Sequence, residues 1–222
     1  MVRRRLAGEP LQYVLGTAAF RRLELRVGSG AFIPRPETEL VAERAMERLP
    51  RGGLLVDLGT GSGAIALAVA DERRDARVVA SELSPAAARW ATSNRDLLGL
   101  RVDLYEGDLF EPLPRDLAGR VDVVVSNPPY IDPGERSVLP TDVVDHEPDV
   151  ALFAPATGTS VIERIASETP AWLRRDGWLV LEIGETHGDA VRTILERNGF
   201  ADAAIEPDLT GRDRMAEGRW PG

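Results

Sequence analysis

The stretch VDLGTGSGAIALAVA (56–70) places a strand, a glycine-rich turn and a helix in immediate succession. Its first residues end an apolar run typical of a buried strand, and helical spacing begins at residue 62. Gly59, Gly61 and Gly63 stand between the two. Glycines there let a ligand approach the backbone closely, and the helix N-terminus offers it free N–H groups. The spacing G-x-G-x-G differs from the G-x-G-x-x-G of dinucleotide-binding proteins, which disfavours a nicotinamide cofactor; a tight turn without a ligand is the alternative.

The rest of the chain repeats this alternation of strand and helix. Apolar, β-branched runs lie at 53–59, 76–82, 101–108, 120–127 and 177–184. Segments with helical spacing lie at 62–74, 84–98, 157–175 and 187–198. Strands that alternate with helices predict βαβ units, and near-continuous apolar strands predict a sheet covered on both faces. We therefore expect an α/β fold with a mostly parallel, doubly wound sheet.

The N-terminal part departs from the alternation. Residues 20–27 (FRRLELRV) and 31–36 (AFIPRP) are short extended segments that we expect to pair as a β-hairpin ahead of the sheet. The predicted organisation is an N-terminal extension with this hairpin (1–36), followed by one catalytic or binding domain (37–222).

Two later segments also lack the βαβ pattern. The tail after residue 199 has strand-like ends around turn residues at 207–213, which predicts a closing antiparallel pair. Segment 131–158 is long, rich in Pro, Asp and Gly, and aperiodic. A loop of that length inside a domain is usually functional or mobile.

Composition narrows the class of protein. The formal net charge of −9 disfavours broad attachment to nucleic acid, and a protein or small-molecule substrate fits better. No apolar run approaches the length of a membrane span, and the N-terminus lacks a signal-peptide core. Cysteine is absent, so disulfides are excluded and a cytoplasmic location is expected. The two histidines, His146 and His187, have no ligand spacing around them, and no metal site is expected.

Acidic residues stand at the ends of three predicted strands. Asp57 precedes the first glycine, Glu82 closes the second strand, and Asp108 closes the third. A carboxylate at such a strand end accepts hydrogen bonds from the hydroxyls of a ribose, and ligands of open α/β sheets bind at this edge. One acid there is common for helix capping alone, whereas three beside a glycine turn indicate an adenosine-bearing ligand.

The stretch VSNPPYIDP (125–133) ends the fourth strand on the same edge. The Asn127 amide needs hydrogen-bond partners, Pro128 and Pro129 stiffen the backbone, and Tyr130 offers a flat face. Together they predict a rigid cup for a planar group that carries N–H groups. The alternative is a strand-ending turn stiffened by prolines.

Strand, GxGxG turn, acidic strand ends and NPPY together resemble the class I S-adenosylmethionine-dependent methyltransferases that alkylate planar nitrogens. The resemblance implies a seven-stranded, Rossmann-like, mostly parallel sheet with helices on both faces. It also implies that the Asn side chain and the first Pro carbonyl accept hydrogen bonds from an –NH2 group while the Tyr stacks on it. The NPPY tetrad (residues 127–130) by itself leaves adenine, guanine and glutamine open as substrates.

Further segments are similar to one branch, the release-factor glutamine N5-methyltransferases. They are GEPLQYVLG (8–16), FIPRPETELVAE (32–43), GDLFEPL (107–113), LEIG (181–184) and DLTGRDR (208–214). That family methylates the glutamine of a Gly-Gly-Gln motif in peptide-chain release factors, so the resemblance implies a release factor as the protein partner. IPRPETE is the most discriminating of these segments.

The resemblance implies roles for individual residues. The residues expected to contact S-adenosylmethionine are Gly59, Thr60, Gly61, Ser62, Gly63, Glu82, Asp108, Leu109 and Asn127. The turn would cradle the methionine part, Glu82 the ribose, and Asp108 with Leu109 the adenine. The catalytic set that grips the glutamine amide is Asn127, Pro128, Pro129 and Tyr130. The wall of the substrate site is expected at Arg35, Pro36 and Glu37; a solvated helix start is the alternative for these three.

Three departures keep other functions open. Family members usually carry a helical N-terminal domain, whereas only MVRRRLA (1–7) precedes the match, so we expect a truncated chain or a differently recognised substrate. Residues 154–165 diverge from the family, and His187 stands where Gln is frequent. The alternatives are a free-standing N-methyltransferase of a small molecule or a nucleobase amine, and a non-catalytic S-adenosylmethionine-binding module.

Overall fold

The computed structural model describes residues 1–222 and contains a seven-stranded sheet and a two-stranded sheet. The strands are β1 (Thr17–Phe20), β2 (Leu23–Arg26), β3 (Leu54–Leu58), β4 (Arg77–Glu82), β5 (Asp103–Glu106), β6 (Val121–Ser126), β7 (Leu173–Glu182), β8 (Ala201–Pro207) and β9 (Asp213–Arg219). The α-helices are α1 (Val2–Leu6), α2 (Leu11–Leu15), α3 (Thr38–Arg48), α4 (Ala64–Glu72), α5 (Pro85–Leu98), α6 (Thr141–Val144), α7 (Asp149–Leu152), α8 (Ser160–Glu168) and α9 (Gly188–Arg197). Short 3-10 helices lie at Arg115–Leu117, Pro133–Val138 and Thr169–Ala171.

The large sheet has the strand order β5-β4-β3-β6-β7-β9-β8. The first five of these strands run parallel, and β9 is antiparallel to both of its neighbours, as the tail predicted. The chain moves outward from β3 through β4 to β5, then returns to β6 on the other side of β3. This reversal leaves a crevice at the carboxyl ends of β3 and β6, where open α/β sheets bind ligands. The predicted seven-stranded, mostly parallel fold is confirmed.

Strand β6 shows why these runs are mostly apolar. Its side chains alternate between two buried clusters: Val123 and Val125 pack on one face with α4, and Val124 packs on the other with α8 and α9. Both faces are covered, so a strand in the middle of the sheet has no polar side to show. The strand that leads to Asn127 is therefore packed on both of its faces.

Helix α5 begins and ends with the expected capping residues. The Ser84 hydroxyl accepts a hydrogen bond from the Ala87 N–H, and Pro85 occupies the first turn. Gly99 ends the helix in the left-handed conformation at φ 64°. The ordered start of α5 fixes the backbone that follows Glu82.

The predicted N-terminal β-hairpin is present, but its predicted strands are wrong. Strand β1 pairs with β2 around a turn at Arg21, whose φ is +50°, so residues 20–27 contain the turn rather than a single strand. Residues 31–36 cannot extend the ladder because Pro34 and Pro36 lack N–H donors. Phe20 and Leu25 are fully buried in the cluster that also holds α3 and α4. The predicted division of the chain at residue 36 stays a prediction.

Segment 131–158 folds back on itself as two short helices, α6 and α7, after a 3-10 turn. The Ile131 N–H donates to the Leu152 carbonyl (3.1 Å), and the Ala154 N–H donates to the Ile131 carbonyl (3.0 Å), which closes the loop at its base. Glu147, nearly fully buried, accepts from the Ile33 N–H (3.2 Å) and pairs with Arg35. The loop is thus fastened to the segment before α3.

No helix of the chain combines the length and the apolar composition that crossing a membrane requires.

Candidate active site

A cavity of about 350 Å³ lies at the carboxyl edge of the large sheet. The register places its two main segments side by side: Leu58 pairs with Ser126, so Gly59 and Asn127 follow as neighbours. Further walls come from residues 30–38, from the ends of β4 and β5, from loop 131–158 and from α8. The sequence-predicted site residues that line it are Gly59, Thr60, Gly61, Ser62, Glu82, Asp108, Leu109, Asn127 and Pro129. Those that do not are Gly63, Pro128, Tyr130, Arg35, Pro36 and Glu37.

The glycines of the turn serve two different purposes. Gly59 and Gly61 have φ of +68° and +61°, and a Cβ added to either would meet no protein atom within 4 Å. That free space belongs to the cavity, so these two glycines keep it open for a ligand. A Cβ on Gly63 would instead lie 2.7 Å from Leu67 Cδ1. Gly63 therefore allows helix packing and does not face the cavity.

Two carboxylates surround the turn. Glu82 accepts from the backbone N–H groups of Gly61 and Ser84, both at 2.8 Å, and burial raises its pKa. Asp57 accepts at Oδ2 from the Thr60 hydroxyl (2.6 Å) and the Ala66 N–H (3.1 Å), while its Oδ1 is buried without a partner. Burial raises the pKa of Asp57 to about 7. An unpartnered buried oxygen calls for a donor or a positive charge from outside the protein.

These residues fit S-adenosylmethionine, the cofactor that the sequence implies. The open space at Gly59 and Gly61 accommodates a chain lying against the backbone. The free oxygen of Asp57 suits a cationic ligand, and Glu82 retains lone pairs for ribose hydroxyls. A site lined by two carboxylates disfavours a phosphate-bearing ligand.

The third strand end supplies the next wall. Leu109 lines the cavity with its backbone in the left-handed region at φ +44°, a conformation that costs a non-glycine residue energy and clusters at functional sites. Asp108 forms an ion pair with Arg164 (3.1 Å), which also lines the cavity. Arg164 and Val161 bring the divergent segment 154–165 into the site.

The tetrad 127–130 divides between the cavity and the layer behind it. The Asn127 amide nitrogen donates to the Thr38 hydroxyl (3.3 Å). Neither the Asn127 Oδ1 nor the Pro128 carbonyl oxygen accepts a hydrogen bond from the protein. The Tyr130 hydroxyl lies 3.3 Å from Glu182 Oε1, and its ring meets the edge of His187. Two acceptors are therefore free, and one of them belongs to Asn127, which lies next to the glycine turn.

The segment before α3 needs a correction. Pro36 and Glu37 are exposed outside the cavity, and Arg35 pairs with Glu147 and covers the Phe32 ring at 4.8 Å. The cavity is lined by Phe32, Pro34 and Thr38 instead, since α3 begins at Thr38 and turns that side chain inward. A contact of Arg35, Pro36 and Glu37 with a substrate outside the cavity stays a prediction.

Glu182 lies behind the tetrad and was not expected in the site. Its Oε2 accepts from the Thr38 hydroxyl at 2.6 Å, and its Oε1 faces Tyr130. The residue is 1% exposed, and burial raises the pKa of its carboxyl to about 7. The Arg214 guanidinium donates to the Tyr130 hydroxyl at 3.4 Å, which connects Arg214 to Glu182. Thr38, Glu182 and Arg214 lie in IPRPETE, LEIG and DLTGRDR, three of the segments that resemble the release-factor glutamine methyltransferases. That resemblance was the sequence signal that could have placed them in the site.

The raised pKa of Glu182 predicts a pH dependence of stability. Between about pH 5 and 7 the folded protein binds a proton that the unfolded chain lacks, so stability is full at low pH and falls as the pH rises through 7. Asp57 acts in the same direction. We expect Glu182→Gln to remove part of this fall, on the order of a few kcal/mol between pH 5 and pH 8, in urea unfolding experiments.

Glu106→Gln at the exposed end of β5 is the matched control, because it removes the same charge without burial. It should leave the pH dependence as in the wild type. A Glu182→Gln protein whose stability falls with pH as steeply as the wild type would contradict the expectation.

Comparison with known proteins adds four similarities. Residues 36–145 match the family described as Methyltransferase small domain. A release factor glutamine methyltransferase of Streptomyces coelicolor is 46% identical over 226 residues, which cover 99% of this chain and 79% of the relative. A protein-(glutamine-N5) methyltransferase (release factor-specific) from Alicyclobacillus acidocaldarius is 28% identical, with TM-score 0.52, over 89% of this chain and 99% of that structure. A methyltransferase from Pyrococcus furiosus shares the fold with TM-score 0.70 at 17% identity, over 99% and 98% of the two chains.

Proposed function

The chain belongs to the family of release factor glutamine methyltransferases, and we propose that it transfers a methyl group from S-adenosylmethionine to the side-chain amide nitrogen of a glutamine in a peptide-chain release factor. The observation that carries the proposal is the unpartnered Asn127 Oδ1 in the cavity beside the open glycine turn, followed in the chain by the Pro128 carbonyl, which also has no donor from the protein. A primary amide has two N–H groups on one nitrogen, and two acceptors are what its recognition requires.

The protein has to overcome the weak nucleophilicity of an amide. The nitrogen lone pair is delocalised into the carbonyl, so orientation matters more than a base. With its two N–H groups on Asn127 and Pro128, the nitrogen is fixed in position, and positive charge that develops on it is stabilised by the two oxygens. An alkylated amide nitrogen is strongly acidic, so its proton leaves without a dedicated base. S-adenosylmethionine, when bound, supplies an electrophilic methyl group on a sulfonium.

The residues around the turn are proposed to hold the cofactor. Gly59, Thr60, Gly61 and Ser62 would contact its methionine part. Glu82 would accept hydrogen bonds from the ribose, and Asp108 and Leu109 would border the adenine. We add Asp57, whose unpartnered Oδ1 would complement the positive charge. Gly63 acts through helix packing in this proposal.

The other predicted residues act on the substrate in this proposal. Pro129 lines the cavity. Tyr130 lies in the layer behind it, and its ring would contact the face of the substrate amide. Phe32, Pro34 and Phe153 give the entrance apolar sides. We expect the protein to work in the cytoplasm, because a release factor acts on the ribosome.

A labelling experiment tests the function. We expect incubation with methyl-labelled S-adenosylmethionine and a release factor to place label on the glutamine of its Gly-Gly-Gln motif. A substrate in which that glutamine is replaced by asparagine, one methylene shorter, should stay unlabelled. Label on nucleic acid or on a small molecule would favour a different N-methyltransferase. Tight cofactor binding with no labelled acceptor would favour a non-catalytic module.

A further inference from the structure

Two strand ends and one helix start meet behind the proposed amide site. Ser126 pairs with Leu181 in the register of β6 and β7, so Asn127 and Glu182 are neighbours at the sheet edge. Thr38, the first residue of α3, lies across both of them. All three side chains come from segments far apart in sequence, and each is at least partly buried.

The hydrogen bonds through Thr38 run in one direction. When Glu182 is ionised it can only accept, so the Thr38 hydroxyl donates to it (2.6 Å) and offers only its lone pairs to Asn127 (3.3 Å). Asn127 must therefore present its NH2 group to Thr38 and its Oδ1 at the opposite end. That orientation suits a substrate amide. In the inverted orientation the NH2 group of Asn127 would face the N–H donors of the substrate.

The second oxygen of Glu182 serves the other end of the tetrad. Tyr130 donates its hydroxyl to Oε1 (3.3 Å), and Arg214 donates to the Tyr130 oxygen (3.4 Å). Arg214 also opposes the carboxylate charge, while Glu37 lies near with the same sign. One carboxylate therefore fixes both Asn127 and Tyr130.

We propose that Glu182 and Thr38 are positioning residues that set the orientation of the Asn127 amide and the place of the Tyr130 ring for methyl transfer. This inference deepens the proposed function and rests on it. A buried carboxylate is retained at a cost in stability at neutral pH, which is typical of a group kept for its role at a site.

Thr38→Val is the first test, because it keeps the shape of the side chain and removes the hydroxyl. We expect kcat to fall about tenfold, in line with the loss of one well-placed hydrogen bond, with the dissociation constant of the cofactor within about twofold of the wild type. Thr38→Ser restores the hydroxyl and should retain kcat within about threefold. The control is Thr169→Val, which removes another buried hydroxyl, bonded to the Ile165 carbonyl at 2.7 Å, away from the cavity. It should leave kcat unchanged.

Glu182→Gln separates positioning from plain structural support. We expect a lower kcat together with greater stability at pH 8, a combination that a residue needed only for folding would not give. Equal kcat values for wild type and Thr38→Val would overturn the proposal. So would a Thr38→Ser enzyme as slow as Thr38→Val.

A readout without turnover keeps this test independent of the substrate. The side-chain amide signals of Asn127 in ¹⁵N NMR spectra, assigned by their absence in Asn127→Ala, should shift in Thr38→Val and stay near the wild-type position in Thr38→Ser. Unchanged signals in Thr38→Val would count against the positioning role. If the wild-type enzyme labels no release factor, the proposed function fails, while the NMR comparison still decides whether Thr38 orients Asn127.

Discussion

Asn127→Ala is expected to lower kcat for glutamine methylation by about 10²–10³-fold and to leave cofactor affinity nearly unchanged. Removal of one preorganised hydrogen-bonding group that stabilises developing charge has effects of this size in other enzymes. The alanine cannot hold an N–H group of the substrate, and it also frees the Thr38 hydroxyl from its Asn127 partner. The glycine turn and Glu82 are untouched, so the cofactor keeps most of its expected contacts. Single-turnover methylation and calorimetric titration of S-adenosylmethionine measure the two quantities.

The control for this variant is Asn198→Ala, at the end of α9. Asn198 also uses its amide nitrogen in a hydrogen bond, to the Ile194 carbonyl at 2.8 Å, and lies away from the cavity. It should retain full activity. Complete loss of cofactor binding in Asn127→Ala would contradict the division of roles between the turn and the tetrad.

Gly61→Ala is expected to weaken cofactor binding by about 10–100-fold. The added methyl group would occupy cavity space next to the proposed methionine site, and overpacking a fitted site costs roughly 1–3 kcal/mol. Stability should fall as well, because alanine is strained at φ +61°. Equilibrium titration with S-adenosylmethionine gives the affinity, and urea unfolding gives the stability.

Gly119→Ala separates these two effects. Gly119 has φ +72°, and a Cβ there would also meet no protein atom within 4 Å, but it is exposed before β6 and away from the cavity. It should show the same loss of stability with unchanged affinity. If Gly61→Ala and the wild type bind S-adenosylmethionine equally well, the turn is not part of the cofactor site.

The sheet could be predicted because both of its faces are buried. Strands such as β3 and β6 are then mostly apolar, and the glycines and Asn127 that follow the apolar runs mark where the strands end. The hairpin could not be paired correctly, since a short alternating segment such as residues 20–27 does not reveal a turn at Arg21. Prolines at 34 and 36 were the signal against the predicted partner.

The residues that line the cavity could be predicted better than the buried residues behind them. Residues that follow parallel strands must meet, which brings Gly59, Glu82 and Asn127 together from sequence alone. The position of Thr38 depends on how α3 crosses the sheet edge. Glu182 ends an apolar strand, and nothing in that strand's sequence indicates its hydrogen bonds to other side chains of the site. Packing decides such positions, and periodicity carries no information about them.

The fastening of residues 33–38 to distant parts of the chain has a consequence for biosynthesis. The contacts of Glu147 with Ile33 and Arg35 join positions 114 and 112 residues apart, and the contact of Thr38 with Glu182 spans 144. Contacts between residues this far apart in sequence can form only after the intervening chain has been made and its loop closed. A nascent polypeptide that has left the ribosome only as far as β6 would possess the glycine turn and Asn127 but not the carboxylate behind them. Competence for methylation would then arise only after β7 has emerged.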